Sequence, residues 1–199
     1  MKNIVNKRYY EVNQKTENIE VASICLAIIF AALALPLAFS NSSIFATQNN
    51  QFLIGPIVNC ALIYAAINCT GWSKLLSVAF LPSICTIITG ALFAMSSAYA
   101  LYMIPAIWLG NFTLVFLYKY LFAYKKLNFA LSSVIAIVAK VLVIASFFGI
   151  LVAAGAIPAS STAAKVMWPA MSVYQLITAT IGAMLAYGII KILYKPRTN

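Results

Sequence analysis

Carboxylates and imidazoles are what this sequence most conspicuously lacks. The three acidic residues all precede Val21, and the chain has no histidine. Ion-coupled transporters commonly carry intramembrane carboxylates or histidines, and a serine or threonine nucleophile needs a neighbouring base. A G-x-x-x-x-G-K-[ST] loop for ATP is also absent. These absences argue against an enzyme and against ion coupling or ATP hydrolysis within this chain, so any transport must draw its energy from another subunit.

Cysteine is scarce and scattered. Four cysteines stand singly in apolar runs, and none forms a C-x-x-C pair: Cys25, Cys60, Cys69 and Cys85. Buried free cysteines usually pack as small apolar groups. Without histidine or clustered thiolates, the sequence predicts no zinc or iron–sulfur site and no cofactor.

Charge is also scarce, since only 8% of the residues are charged and 64% are hydrophobic. A soluble domain carries about 25% charged residues, so this chain could not cover its own surface in water. Its apolar runs are each close to the roughly 20 residues that a membrane helix needs. The sequence predicts an all-α integral membrane protein, a bundle of six transmembrane helices. The predicted helices are 21–39, 52–69, 75–95, 101–123, 129–154 and 166–193.

The domain organisation follows from these runs. Residues 1–20 are predicted to be a polar cytoplasmic N-terminal tail, and residues 21–199 a single six-helix transmembrane domain. The first apolar run follows a mixed polar stretch and is long enough to span, which is a poor fit to a cleaved signal peptide.

The basic residues predict the orientation. Thirteen lysines and arginines against three acids give a formal net charge of +10. If the N-terminus is cytoplasmic, every basic residue except Lys140 and Lys165 falls in or beside a cytoplasmic segment, as the positive-inside rule requires. The charge therefore indicates a multi-pass protein of a prokaryotic inner (cytoplasmic) membrane with both ends inside. It does not indicate a nucleic-acid partner; the expected surroundings are the lipid bilayer.

Four predicted helices each carry a polar residue well inside the membrane. At about 1.5 Å per residue, each lies roughly 10–16 Å from the start of its helix. The four residues are Asn59, Asn111, Lys140 and Gln175. Such groups usually face the bundle interior. Because Lys140 has no acidic partner in the membrane part, it either snorkels, contacts carbonyls, is neutral, or meets an anionic or carbonyl-bearing ligand.

Two tryptophans lie toward the outer ends of their predicted helices. Trp108 and Trp168 fit the aromatic belt that marks a membrane interface. Their position on the outer side also makes them candidates to contact a ligand that arrives from outside.

Helix 1 carries small residues four positions apart, Ala27 and Ala31. Small residues at this spacing let another helix approach closely. The pair predicts either packing within the chain or a docking face for a partner subunit.

Several short motifs, taken in order, resemble the S components, the substrate-binding membrane subunits of energy-coupling factor (ECF) transporters. The first is Ala27-Ile-Ile-Phe-Ala31, which resembles the family's Ala-x-x-x-Ala motif. The others are Gly55-Pro-Ile-Val-Asn-Cys-Ala-Leu-Ile, Pro82 with Thr89-Gly90, Leu109-Gly110-Asn111, Ala139-Lys140 and Gln175-Leu-Ile-Thr-Ala-Thr-Ile-Gly182. The resemblance covers about residues 20–194.

The resemblance implies a subunit that captures a vitamin-like small molecule from outside. It implies docking of a transmembrane T component on helix 1 and energy from two cytoplasmic ATPases. The absence of histidine disfavours nickel or cobalt as the substrate. Two other functions stay open on the residues alone: a non-transporting multi-pass membrane subunit, and a self-standing small-solute facilitator.

Overall fold

The computed structural model describes residues 14–34, 50–69, 71–88 and 97–193, and within these ranges every regular element is a helix. Two helices continue into π-helical segments, α1 into Phe30–Ala34 and α5 into Tyr118–Tyr124. The helices are α1 (Gln14–Ile29), α2 (Asn50–Asn68), α3 (Trp72–Ile88), α4 (Ser97–Tyr102), α5 (Ile104–Leu117), α6 (Phe129–Ala153), α7 (Thr162–Met171) and α8 (Val173–Leu193). The predicted all-helical class is confirmed for these ranges.

Four helical segments are long and apolar enough to cross a membrane. They are Gln51–Asn68, Ile104–Tyr124, Phe129–Ala153 and Thr162–Ile192. Two shorter apolar helices, Asn18–Ala32 and Trp72–Cys85, coincide with predicted helices 1 and 3. The predicted ends of those two helices, at 35–39 and 89–95, lie outside the described residues. The structure thus supports a multi-pass membrane protein, and the count of six stays a prediction.

The N-terminal tail overlaps the first helix. Residues 14–20 belong to α1, whereas residues 1–13 lie outside the described ranges. The last basic residues, Lys195 and Arg197, also lie outside them. The orientation inferred from charge therefore rests on the sequence.

Helices α2 and α8 run parallel and in close contact. The rings of Phe52 and Tyr174 lie with centroids 4.7 Å apart. A Cβ at Gly55 would lie 2.8 Å from Cβ of Thr178, and one at Gly182 would lie 2.6 Å from Cβ of Asn59. The contacted residue moves forward along α8 as the contacting residue moves forward along α2. The two helices therefore run in the same direction.

Helices α5 and α6 run antiparallel. In the middle of α5, a Cβ at Gly110 would lie 2.6 Å from Cγ1 of Ile144. At the first residue after α5, the hydroxyl of Tyr118 donates a 2.6 Å hydrogen bond to Oγ of Ser133. Later residues of the α5 segment therefore contact earlier residues of α6.

The turn before α6 is fixed by two local features. Lys126 has a φ of 56°, in the left-handed region. Asn128 caps the helix, because its Oδ1 accepts a 2.7 Å hydrogen bond from the backbone N–H of Leu131. A side-chain N-cap satisfies one of the unpaired amides of the first turn. The cap therefore fixes where α6 begins and hence the depth of the side chains that it carries.

The core forms two apolar clusters. The larger joins α1, α2, α3, the first part of α6 and α8 with the end of α5 and the π-helical segment that follows it. The smaller lies where α5, α6 and α7 meet, and its fully buried members include Met103, Ile144, Met167 and Met171. Methionine is flexible and fills irregular gaps, so this smaller cluster is the more adaptable part of the interior.

Candidate functional site in the bundle core

A buried lysine–asparagine pair joins α6 to α2. Nζ of Lys140 donates a 2.6 Å hydrogen bond to Oδ1 of Asn59. Nδ2 of Asn59 in turn donates to the backbone oxygen of Gly55, at 2.9 Å. Each of the two side chains is only 2% exposed. The asparagine is thereby held by its own helix, with its acceptor oxygen directed at the lysine.

Two glycines make room for this pair. At Gly182, a side chain would collide with Asn59 and with the backbone oxygen of Pro56, at 2.6 and 2.8 Å. At Gly110, a Cβ would lie 3.5 Å from Cγ of Lys140. The helices α8 and α5 therefore pass close to the pair because they present no side chain there. Small residues permit such close approach in membrane helices.

Asn111 turns away from the pair toward α3. Its Nδ2 donates a 3.1 Å hydrogen bond to the backbone oxygen of Ala79, and the side chain is 3% exposed. Ala79 follows Val78, whose backbone oxygen is the one that lacks an α-helical partner because Pro82 has no N–H. Consecutive residues of α5, Gly110 and Asn111, thus contact α6 and α3 respectively.

The other predicted site residues lie away from the pair. Gln175 is half-buried and precedes Gly182 by seven residues, a rise of about 10 Å along α8. Trp108 packs on Phe80 of α3, with ring centroids 4.7 Å apart. Among the described contacts, none joins these residues to Lys140. The structure brings together Asn59 and Lys140, with Asn111 on the adjacent face of α5.

Trp168 lines a separate cavity. It is 54% exposed and its ring lies 5.8 Å from that of Phe148. The cavity has a volume of about 540 Å³ and lies between the end of α6 and α7, with Lys165 and Gly149 among its other lining residues. Phe148 also belongs to the smaller apolar cluster. Because Phe148 follows Lys140 by eight residues, the cavity lies about two turns of α6 away from the Lys140–Asn59 pair.

A scan against protein-family models, a search of curated proteins and a search of solved structures each found no match for this chain. The chemistry of the site must therefore be argued from its own groups. Ammonium is a donor only and an amide offers both donor and acceptor. Together they can hold a carboxylate or a carbonyl oxygen in place of the oxygen of Asn59.

Sequence reasoning missed a second buried lysine. Lys119 is fully buried, and its Nζ donates a 2.5 Å hydrogen bond to the backbone oxygen of Cys69, just after α2. The same Nζ lies 5.5 Å from the ring centroid of Trp72. A cation beside a helix C-terminus is favoured by the helix dipole. The available signal was that Lys119 falls inside the predicted helix 101–123 rather than after it.

The two alanines of helix 1 differ in burial. Ala27 is exposed, whereas Ala31 is completely buried inside the bundle. Exposed large side chains flank Ala27 on the surface, Leu26 at 65% and Phe30 at 60%. Ala31 thus serves packing within the chain, and Ala27 is the one of the two that an outside helix could contact.

Proposed function

We propose that this protein is the substrate-binding membrane subunit of an ECF-type importer in a prokaryotic cytoplasmic membrane. In this proposal six helices cross the membrane with both ends inside, and a vitamin-like small molecule binds from outside. A T component docks on α1, and two cytoplasmic ATPases supply the energy. The motif resemblance supports this assignment, and so does the lack of any ATP loop in the sequence.

The observation that carries the proposal is the buried Lys140. A charged group inside the membrane part is costly and is usually functional. No carboxylate follows Glu20 in the sequence, so the partner of this ammonium among the described residues is the neutral oxygen of Asn59. A substrate carboxylate is a better partner for an ammonium than a neutral amide oxygen, because it adds the attraction of an opposite charge, which is stronger in a low-dielectric interior than in water.

The route to this pair leads from the cavity beside Trp168. Its volume falls in the range of about 300–1,000 Å³ usual for small-molecule sites. Ile144 lies on α6 between Lys140 and the cavity residue Phe148, and it belongs to the same cluster as the three methionines. In the proposal these flexible side chains move aside as the substrate enters, and the bond from Lys140 to Asn59 is the arrangement of the empty site.

The experiment is native mass spectrometry of the purified protein, followed by thermal unfolding with a panel of vitamins. Retention of one small molecule per chain is expected, and saturating ligand at 100 times Kd should stabilise the protein by about 2.7 kcal/mol. The Lys140→Met variant should lose this stabilisation, while Lys191→Gln, at the far end of α8, should retain it. A purified chain with neither retained ligand nor thermal shift would contradict the proposal.

A non-transporting membrane subunit is the second candidate. The 2.6 Å bond between Lys140 and Asn59 favours it, since the lysine already has a side-chain acceptor without a ligand. In that case Lys140→Met would change stability and no small molecule would bind. Solute flux through the isolated protein in liposomes would instead indicate a facilitator.

A further inference from the structure

An apolar groove runs along the outside of the bundle between α6 and α8. It has a volume of about 690 Å³ and is lined mainly by aliphatic and aromatic side chains. Several of these are well exposed, including Val134 at 61%, Met184 at 68% and Leu176 at 42%. Both helices belong to membrane-spanning segments. The groove therefore opens toward the hydrocarbon of the bilayer.

The hydroxyl groups of Thr180 and Ser133 in its wall are hydrogen-bonded within the protein. Oγ1 of Thr180 donates to the backbone oxygen of Leu176, at 2.8 Å. Ser133 donates to the backbone oxygen of Phe129, at 2.7 Å, and accepts from Tyr118. Apart from Asn128 and Tyr187 at one end, the groove thus offers an occupant an apolar surface.

The length of the groove matches one leaflet. Its lining extends from Asn128 to Val138 on α6 and from Leu176 to Tyr187 on α8. At about 1.5 Å per residue these stretches are roughly 15 Å long. The hydrocarbon core of a bilayer is about 30 Å thick. The groove therefore runs from one membrane surface to about the midplane, the depth that a single acyl chain reaches.

Basic residues surround the end of the groove at the membrane surface. Lys126 precedes the lining residue Asn128 by two positions, and Lys191 follows the lining residue Tyr187 by one helical turn. Both lysines are exposed, and among the described residues no hydrogen bond or ion pair involves either side chain. Residues four apart share a helix face, so Lys191 continues the stripe of α8 that lines the groove.

We propose that this groove binds one anionic phospholipid of the leaflet beside Lys126 and Lys191. An acyl chain lies along α6 and α8, and the phosphate lies between the two lysines. Basic sites next to membrane helices recognise anionic headgroups. The apolar groove and the basic residues at its end are complementary to the two parts of such a lipid, and a zwitterionic lipid offers no net charge to the lysines.

The test is native mass spectrometry of the full chain in detergent with added phosphatidylglycerol or phosphatidylcholine. Phosphatidylglycerol is expected to remain bound at one per chain and phosphatidylcholine to dissociate. Lys126→Asn, which suits the left-handed backbone, and Lys191→Gln should each weaken phosphatidylglycerol binding about fivefold. Ala130→Phe, which fills the groove near its basic end, should abolish it.

Matched controls are Lys165→Gln for the charge and Leu142→Phe for the added ring. Leu142 is 60% exposed on α6 and lies outside the groove lining. Both controls should bind phosphatidylglycerol as the unchanged protein does. The proposal would be overturned if the two lipids were retained equally or if the controls lost binding to the same extent. It would also be overturned if inorganic phosphate displaced the lipid, or if the protein were a dimer that Ala130→Phe dissociates.

Discussion

The ammonium of Lys140 and the side-chain oxygen of Asn59 lie 2.6 Å apart, and the two side chains are almost completely buried. The bond links α6 to α2 across the part of the bundle where α5 and α8 each present a glycine. One polar contact therefore links two helices that otherwise have little direct contact. Its two partners are not equivalent, because one carries a charge and the other does not.

The first prediction follows from that asymmetry. Asn59→Ala leaves a buried ammonium without its described acceptor and should destabilise the protein by about 3–5 kcal/mol. Lys140→Met keeps the apolar part of the side chain and leaves only the amide oxygen of Asn59 without a donor. This should lower the free energy of unfolding by about 1–3 kcal/mol. Thermal unfolding in detergent measures both. The double variant Asn59→Leu with Lys140→Met should be more stable than Asn59→Ala, and the reverse order would show that the bond is not what stabilises this contact.

The second prediction concerns Gly182, where α8 touches α2. Gly182→Ala places a Cβ within 3 Å of Asn59, Pro56 and Cys60, two of these contacts being with backbone atoms. Overpacking of this kind costs about 1–3 kcal/mol, and the unfolding temperature should fall. Gly188 on the same helix has open space at its Cβ position. Gly188→Ala should therefore gain up to about 1 kcal/mol from helix propensity. If the two substitutions changed the unfolding temperature equally, the close contact of α8 with α2 at Gly182 would be refuted.

The third prediction concerns the other buried lysine. Lys119→Met removes the hydrogen bond to Cys69 and the cation from the ring of Trp72, and should cost about 1.5–3 kcal/mol as a lost charged hydrogen bond. The matched control is Lys165→Met, since Lys165 is exposed and its loss should change the unfolding temperature little. A Lys119→Met protein as stable as the control would mean that the contact with Cys69 contributes nothing net.

Much of the helical architecture could be predicted from the sequence, because apolar length is a local property. Predicted helices 2 and 5, at 52–69 and 129–154, differ from α2 and α6 by at most two residues at either end. The break at Ser172 was missed. Predicted helix 6 ran from residue 166, whereas the chain forms α7 and α8 on either side of this residue. Pro169 lies within α7, and the hydroxyl of Ser172 bonds back to Trp168. A proline close to a helix end was the signal available.

The candidate site was harder to predict from the sequence. The position of a residue along a helix gives its depth in the membrane, but it does not say which neighbouring helix the side chain faces. Counting residues placed Asn59, Asn111 and Lys140 at similar levels, but only the helix rotations decide that two of them meet and that Asn111 faces Ala79. The glycines that permit the contact, Gly110 and Gly182, lie in motifs that the sequence showed. Their role depends on which helices are neighbours, and a single sequence does not contain that information.

The last prediction concerns α1. Ala31 is completely buried, so Ala31→Trp should destabilise the isolated protein and says nothing about docking. Ala27 is exposed, and Ala27→Trp should leave the unfolding temperature and any ligand binding unchanged. If a T component docks here, the added ring should prevent co-purification of the complex and abolish uptake. Leu142→Trp, which puts the same ring on an exposed site of α6, is the control that should preserve both. Uptake that survives Ala27→Trp would exclude this face of α1 as the docking surface and leave the exposed side chains of Leu26 and Phe30 to contact lipid.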